Sequence, residues 1–300
     1  MSPLTVLQTA LGVLTAVFIY GWAAAAGTVR RLRTSEETPA TDVQPPTGTH
    51  VGIGALTNFF DTLGIGSFAT TTALFRFLRV IPDRVIPGTL NVGHTLPTVV
   101  QAFIYTRVIP VDMVTLFALI ASAVLGAWLG AGIVAGWPKQ RVQIGMGAAL
   151  LGAAALMLMT QLNLFPGGGE ALGVRGARLA IGVGVNFVLG ALMSLGIGLY
   201  APCMILISLL GMDPKAAYPI MMGSCAFLMP VGSLNFIRER SYGFRAAAGL
   251  AIGGIPGVLL AAFIVTSMPI YYVRWLVIVV VIYTAITMLM AGLGANKRET

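Results

Sequence analysis

The chain is predicted to be an all-α, polytopic integral membrane protein, an inverted two-fold repeat with a broken, re-entrant helix hairpin in each half. Three observations predict this: composition, an internal repeat and the placement of basic residues. The 300 residues are 57% hydrophobic and 9% charged, with a mean hydropathy of +0.90. Soluble domains carry about 25% charged residues, so a chain this apolar calls for lipid as its solvent. Sliding the chain along itself by 132 positions lays Leu63-Gly64-Ile65-Gly66 on Leu195-Gly196-Ile197-Gly198, Gly52 on Gly184, Ala69 on Ala201, Pro82 on Pro214 and Pro87 on Pro219.

A helix needs about 20 apolar residues to cross the hydrocarbon. Residues 4–26 form the first such run. Arg30, Arg31 and Arg33 follow it and nothing basic precedes it, the reverse of a signal peptide. The order fits an uncleaved span with its N-terminus outside. Residues 34–49, rich in Thr, Glu, Pro and Asp, read as a disordered linker. The first repeat, 50–161, holds apolar segments 50–79, 88–106, 112–136 and 142–161. Residues 162–177 form the inter-repeat loop, with Pro166-Gly167-Gly168-Gly169 as a flexible connection. The second repeat, 178–293, holds segments 178–211, 217–237, 246–267 and 271–293. Residues 294–300 are a tail.

Segments 50–79 and 178–211 are too long for one ordinary span, and each is broken by Gly-Ile-Gly. Basic residues decide how they run. If each segment enters and leaves on one side, only Arg107, Arg175, Arg178, Lys215 and Arg274 face outward and the other 13 of the 18 Lys and Arg are cytoplasmic. If each crosses once, the division of the 18 is 11 to 7. The positive-inside rule prefers the hairpins, with the C-terminus cytoplasmic. Each repeat then makes an odd number of crossings, so the second copy is inverted and the two breaks approach each other near the midplane.

Unwound backbone at membrane depth belongs beside a cavity, and glycine-broken segments at matching places in two halves mark a transporter's binding site. The helix restarting near Ser67 has free N–H groups and a positive dipole end suited to an anion. The candidate binding residues are Asn58, Gly64, Gly66, Ser67 and Thr70 at the first break, and Ser194, Gly196, Gly198 and Tyr200 at the second. Thr89, Asn91 and His94 join them from the following span, where Asn91, His94, Thr95 and Thr98 recur at helical spacing. Pro202 suits the first turn of a restarting helix. Asp61 is an intramembrane carboxylate, a costly residue that must be paired, protonated or functional. It has three readings: a pair with His94 or Arg76, a proton shuttle with His94, or a local cap beside an aqueous cavity. The second copy has Met193 in its place.

Several classes are set aside. The net charge of +8 follows from cytoplasmic loops rather than nucleic-acid binding, since no basic stripe is interleaved with aromatics. Cys203 and Cys225 read as small apolar core residues. With His50 and His94 the sole histidines, no metal-ligand set is expected, and no cofactor. Without a phosphate-binding loop, direct ATP use is not expected.

The two breaks, the downstream Ile86-Pro87-Gly88-Thr89-Leu90-Asn91 and Gly126-Ala127-Trp128-Leu129-Gly130, and the two-fold layout resemble the sulfite exporter TauE/SafE family, also called the toluene sulfonate uptake permease family. The resemblance covers roughly residues 50–293 and leaves the N-terminal span and linker as an addition. It implies a homodimeric carrier in a bacterial inner membrane for small sulfur-containing anions such as sulfite, sulfonates or sulfoacetate. The family's first break is usually richer in glycine with a proline soon after. Here Asp61-Thr62 precede Gly64-Ile65-Gly66, and Thr70 stands where the proline would be. This departure bears on the substrate more than on transport.

The expected function is therefore a secondary transporter of a small anion, coupled to a proton or sodium ion. The alternatives are an intramembrane enzyme, with Ser67 or Ser194 paired to His94, and a passive channel or scaffold.

Overall fold

A computed structural model describes residues 2–32, 44–63, 65–164, 169–193, 199–264 and 270–295. Gly64, Ser194, Gly196 and Gly198 of the candidate site lie outside these residues, as do 34–43 of the linker, Pro166 to Gly168 of the loop and 296–300 of the tail. Among the described residues the chain is helical, with one isolated β-bridge between Ala171 and Met212.

Among the described residues eleven α-helices follow in order: α1 Pro3–Leu32, α2 Gly48–Thr62, α3 Ser67–Phe77, α4 Ile86–Val108, α5 Met113–Ala135, α6 Lys139–Gln161, α7 Gly176–Met193, α8 Tyr200–Leu209, α9 Ala217–Arg238, α10 Phe244–Ile264 and α11 Ile270–Ala295. Among the described residues, six stretches of helix are long and apolar enough to cross a membrane: Pro3–Gly27, Met113–Val134, Gln140–Gln161, Gly176–Met193, Pro214–Arg238 and Phe244–Phe263. The molecule is an all-α, multi-pass membrane protein. α2 and α3, with 15 and 11 residues, reach about 22 and 16 Å at 1.5 Å per residue, and neither spans a hydrocarbon core of about 30 Å.

The order of helices from α2 to α6 recurs from α7 to α11, down to the 3₁₀ turns Asp83–Val85 and Pro214–Ala216 before α4 and α9. The packing recurs too. α2 lies on α10 and α7 on α5; α10 lies on α4 and α5 on α9; α6 pairs with α11, and α4 with α9. Each broken segment therefore packs on a helix of the other half. Small residues allow the close approach: a Cβ on Gly253 or Gly257 would run into the α2 backbone at Val51 or Ala55, and one on Gly190 into the α5 backbone at Ala123.

Contacts between element ends sort the bundle into two ends. At one, Arg245 donates to the Pro45 carbonyl just before α2. Arg76 near the end of α3 pairs with Asp83 at 2.8 Å, Gln143 of α6 donates to Asp83 at 2.7 Å, and Thr89 of α4 accepts the Gly243 N–H at 2.8 Å. The start of α2, the end of α3 and the start of α4 thus gather together. At the other end, Asp112 before α5 pairs with Arg175 before α7, and Met212, just past α8, bridges to Ala171. α1 runs antiparallel to α4. Its Gln8 meets Thr106 and Arg107, while its Phe18 packs with Val92.

Asp112 also caps α5, accepting from the Thr115 N–H at 2.8 Å. The Arg175 hydrogen bond, with the two from Thr115, holds its carboxyl well below the usual carboxylate range, against a smaller opposing effect of burial. A depressed folded pKa stabilises the fold above the unfolded value of about 3.9, and that stability is lost as pH falls through the folded value. The pair is solvent-screened and its share is modest. Asp112→Asn should lower the unfolding temperature slightly at pH 7 and reduce its fall on acidification below about pH 4. Thermal unfolding in detergent at several pH values checks this.

Candidate functional site

The first break is assembled from three helices. α2 ends at Thr62, and the N–H groups of Leu63 and Ile65 both return to the Phe60 carbonyl. Gly66 then takes φ +88°, ψ +130°, a conformation open in practice to glycine alone. A Cβ there would meet open space, so backbone conformation, not room, demands the glycine. α3 restarts at Ser67, whose N–H is an orphan donor of a first helical turn. The Asp61 Oδ1 accepts it.

Asp61 is fully buried, and α4 completes its shell. Gln101 donates through Nε2 to Asp61 Oδ2 and to Thr62 Oγ1, both at 2.9 Å. The Tyr105 hydroxyl donates to the Thr62 carbonyl at 2.9 Å. Of the readings open from sequence, the geometry matches the local cap. Arg76 is turned to Asp83, and the His94 nitrogens are held elsewhere. In this structure the first-turn N–H of Ser67 is met by Asp61, a buried carboxylate that needs donors.

His94 ties the two arms together. Asn58 donates its amide to the Gly54 carbonyl, which leaves Asn58 Oδ1 as acceptor for His94 Nδ1–H at 3.1 Å. His94 Nε2 is then the acceptor for the Thr71 hydroxyl at 3.0 Å. One imidazole bonded to residues 58 and 71 shows that α2 and α3 do not continue as one straight helix, in which 13 residues would separate them by about 20 Å. Both ring nitrogens are thus engaged by Thr71 and Asn58 rather than by Ser67. His94→Ala should leave Asn58 Oδ1 buried without its donor, at about 1–3 kcal/mol. A lowered unfolding temperature, partly restored in His94→Gln, checks this.

Between the two halves lies a narrow crevice lined by Asp61, Ser67, Phe68 and Thr98 from the first repeat and Met193, Cys225 and Met229 from the second. It leaves no room for a water molecule in this structure. Asp61 and Met193, which correspond across the 132-residue shift, share it. One wall presents oxygen and the other sulfur. The Cys225 thiol donates to Met193 Sδ at 3.8 Å.

The remaining candidates fall into different places. Thr70 donates to the Gly66 and Ser67 carbonyls and stiffens the restart of α3. Asn91 donates to the Pro87 carbonyl within α4, and Thr95 lies 3.4 Å from Ser233 of α9, so this stripe meets two neighbours rather than one site. Thr89 clamps the turn before α10, away from the crevice. His50 closes the N-terminus of α2 by accepting the Thr47 N–H at 3.0 Å. Tyr200 opens α8, and its side chain lies outside the described ones. In the second half, Asn186 donates to the Leu119 carbonyl and to Ser224 Oγ.

Sequence reasoning missed Gln101 and Tyr105 as keepers of the break, and Met193, Cys225 and Met229 as a wall. Gln101 had a signal, being an uncharged polar residue three positions beyond Thr98 in an apolar span. The sulfur residues had none beyond the match of Met193 to Asp61. No family model matches the chain, and neither the curated proteins nor the solved structures provide a match.

Proposed function

We propose that the chain is a secondary carrier of a small anion, of the sulfite exporter TauE/SafE kind, with its substrate site in the crevice between the two breaks. The observation that carries this reading is that residues at corresponding positions of two repeated halves, Asp61 and Met193, line one narrow crevice. A site on the boundary between two like halves is where rocking one half against the other exposes it to each face in turn. Both broken segments enter and leave at one end of the bundle in this reading, α2–α3 from the end with Arg76, Arg84 and Arg245, and α7–α8 from the end with Arg107, Arg175 and Lys215. The first of these ends is cytoplasmic by the positive-inside rule, and the repeat is inverted.

Asp61 sets the coupling. Its carboxylate and a substrate anion compete for the same end of α3. Entry of the anion goes with a proton on Asp61, which removes the competing charge and frees the Ser67 N–H. The substrate class is a compact sulfur-containing oxyanion, sulfite or a short organosulfonate, and the carrier is a homodimer in a bacterial inner membrane.

Ligands that bind only the folded state raise its stability by RT ln(1 + [L]/Kd). Sulfite or short organosulfonates should raise the unfolding temperature of the detergent-purified protein in a saturable way, more at pH 5.5 than at pH 7.5. A response equal to that of chloride at the same ionic strength would remove the anion site. Topology has its own test. In a chain lacking Cys203 and Cys225, Glu36→Cys and Arg84→Cys should both react with an impermeant thiol reagent from the cytoplasmic face. Labelling from opposite faces would mean that α2–α3 crosses.

A further inference from the structure

We propose that the sulfur wall of the crevice binds one soft monovalent metal ion, Cu⁺ or its redox-inert counterpart Ag⁺, between Cys225 Sγ and Met193 Sδ with Met229 as third ligand. This does not rest on the anion reading. It rests on three sulfur side chains lining one buried crevice on α7 and α9, two of them already in contact through a hydrogen bond from the Cys225 thiol to Met193 Sδ.

Ligand chemistry selects the ion. Thiolate and thioether sulfur favour soft Cu⁺, whereas hard cations require oxygen. No group of three His, Cys, Asp or Glu able to hold a metal is present among the described residues, which removes a zinc-type centre and leaves the methionines to define the class. Geometry agrees. Ligands about 2.3 Å from a trigonal metal, a typical metal–sulfur length, stand about 4.0 Å apart, and the Sγ–Sδ separation is 3.8 Å. The ion would take the place of the Cys225 thiol proton that points to Met193 Sδ, with little movement of either helix.

Charge balances within the crevice. The Cys225 Sγ–H bond breaks as the Sγ–metal bond forms, and the proton passes to the Asp61 carboxylate on the facing wall. No electron is transferred. A thiolate–metal pair is neutral and a protonated Asp61 is neutral, which suits a site at membrane depth. The ion would staple α7 to α9 and hold the crevice shut.

The test uses the full-length protein in detergent, with Cys203→Ala to leave one thiol and silver nitrate in chloride-free buffer as the probe. Silver retained after desalting is counted by mass spectrometry, and X-ray absorption reads its ligands. About one Ag⁺ per chain is expected, in sulfur-only coordination and displaced by Cu⁺. Cys225→Ala should retain none. Met193→Leu and Met229→Leu keep the side-chain volume, and each should weaken retention roughly ten-fold or more, as loss of metal-site partners does, at an unchanged unfolding temperature. Equal retention in Cys225→Ala overturns the site. So does retention that ignores both methionine substitutions, which would mean simple capture by a thiol. If Cys225→Ala fails to fold, the methionine variants decide.

Discussion

Asp61→Asn should give a folded protein that binds the anion but moves it with little regard for a pH gradient. Asparagine has nearly the shape of aspartate, so its Oδ1 can still accept the Ser67 N–H that Asp61 accepts, and Gln101 can turn its amide to present oxygen instead of nitrogen. What is lost is the negative charge and the site for a proton. The competition between carboxylate and substrate at the start of α3 disappears with it. Anion binding, read by thermal shift, should become independent of pH between 5.5 and 7.5. Gradient-driven transport should fall by roughly ten-fold or more, the scale of one general acid–base group. Asp61→Ala should do further harm, because it removes the buried acceptor of the Ser67 N–H and of one Gln101 N–H, whose amide also donates to Thr62, at about 1–3 kcal/mol for an unmet buried donor. His94→Gln should alter the pH response less than Asp61→Asn, since His94 binds Asn58 and Thr71 rather than lining the crevice. A wild-type pH profile in Asp61→Asn would make Asp61 a cap and nothing more.

Gly66→Val should abolish transport while expression and helical content persist. At φ +88° a β-branched residue costs on the order of 1–3 kcal/mol. The break is the part of the chain free to relax that strain. Relaxation moves Ser67, breaks its bond to Asp61 and displaces the floor of the crevice. Membrane insertion does not depend on this turn, so the defect falls on function first. Gly12→Val is the control: a Cβ there meets nothing within 4 Å, and transport should be unchanged. The two variants, compared by uptake and by circular dichroism, separate the turn from a general effect of bulk.

The helices were legible because apolar runs of span length leave few alternatives. α5 and α9, Met113–Ala135 and Ala217–Arg238, fall almost on the runs 112–136 and 217–237. α4 was harder, and it is not among the six apolar spans, because its face toward α2, α3 and α9 carries His94, Thr95 and Gln101. Such a helix is polar because it is interior, and hydropathy cannot tell an interior helix from a surface one. Gly66 was legible as a turn because glycine there has a backbone reason. The role of Asp61 was legible only in part. Sequence marked it as expensive but cannot show which donors meet it, since Ser67 is six residues away and Gln101 forty. The sulfur wall was invisible for a simpler reason. Methionine and cysteine in an apolar helix look like any other packing residue until two helices bring them face to face.

Uptake into proteoliposomes tests the central claim most directly. Purified protein reconstituted into vesicles, with a proton gradient imposed and labelled sulfite or a short organosulfonate outside or trapped inside, should give saturable flux. That flux should collapse when the gradient is discharged, lose its gradient dependence in Asp61→Asn and vanish in Gly66→Val. Flux that rises linearly with concentration and ignores the gradient and both substitutions, or no movement of any small sulfur oxyanion in either direction, would contradict a carrier built on this crevice.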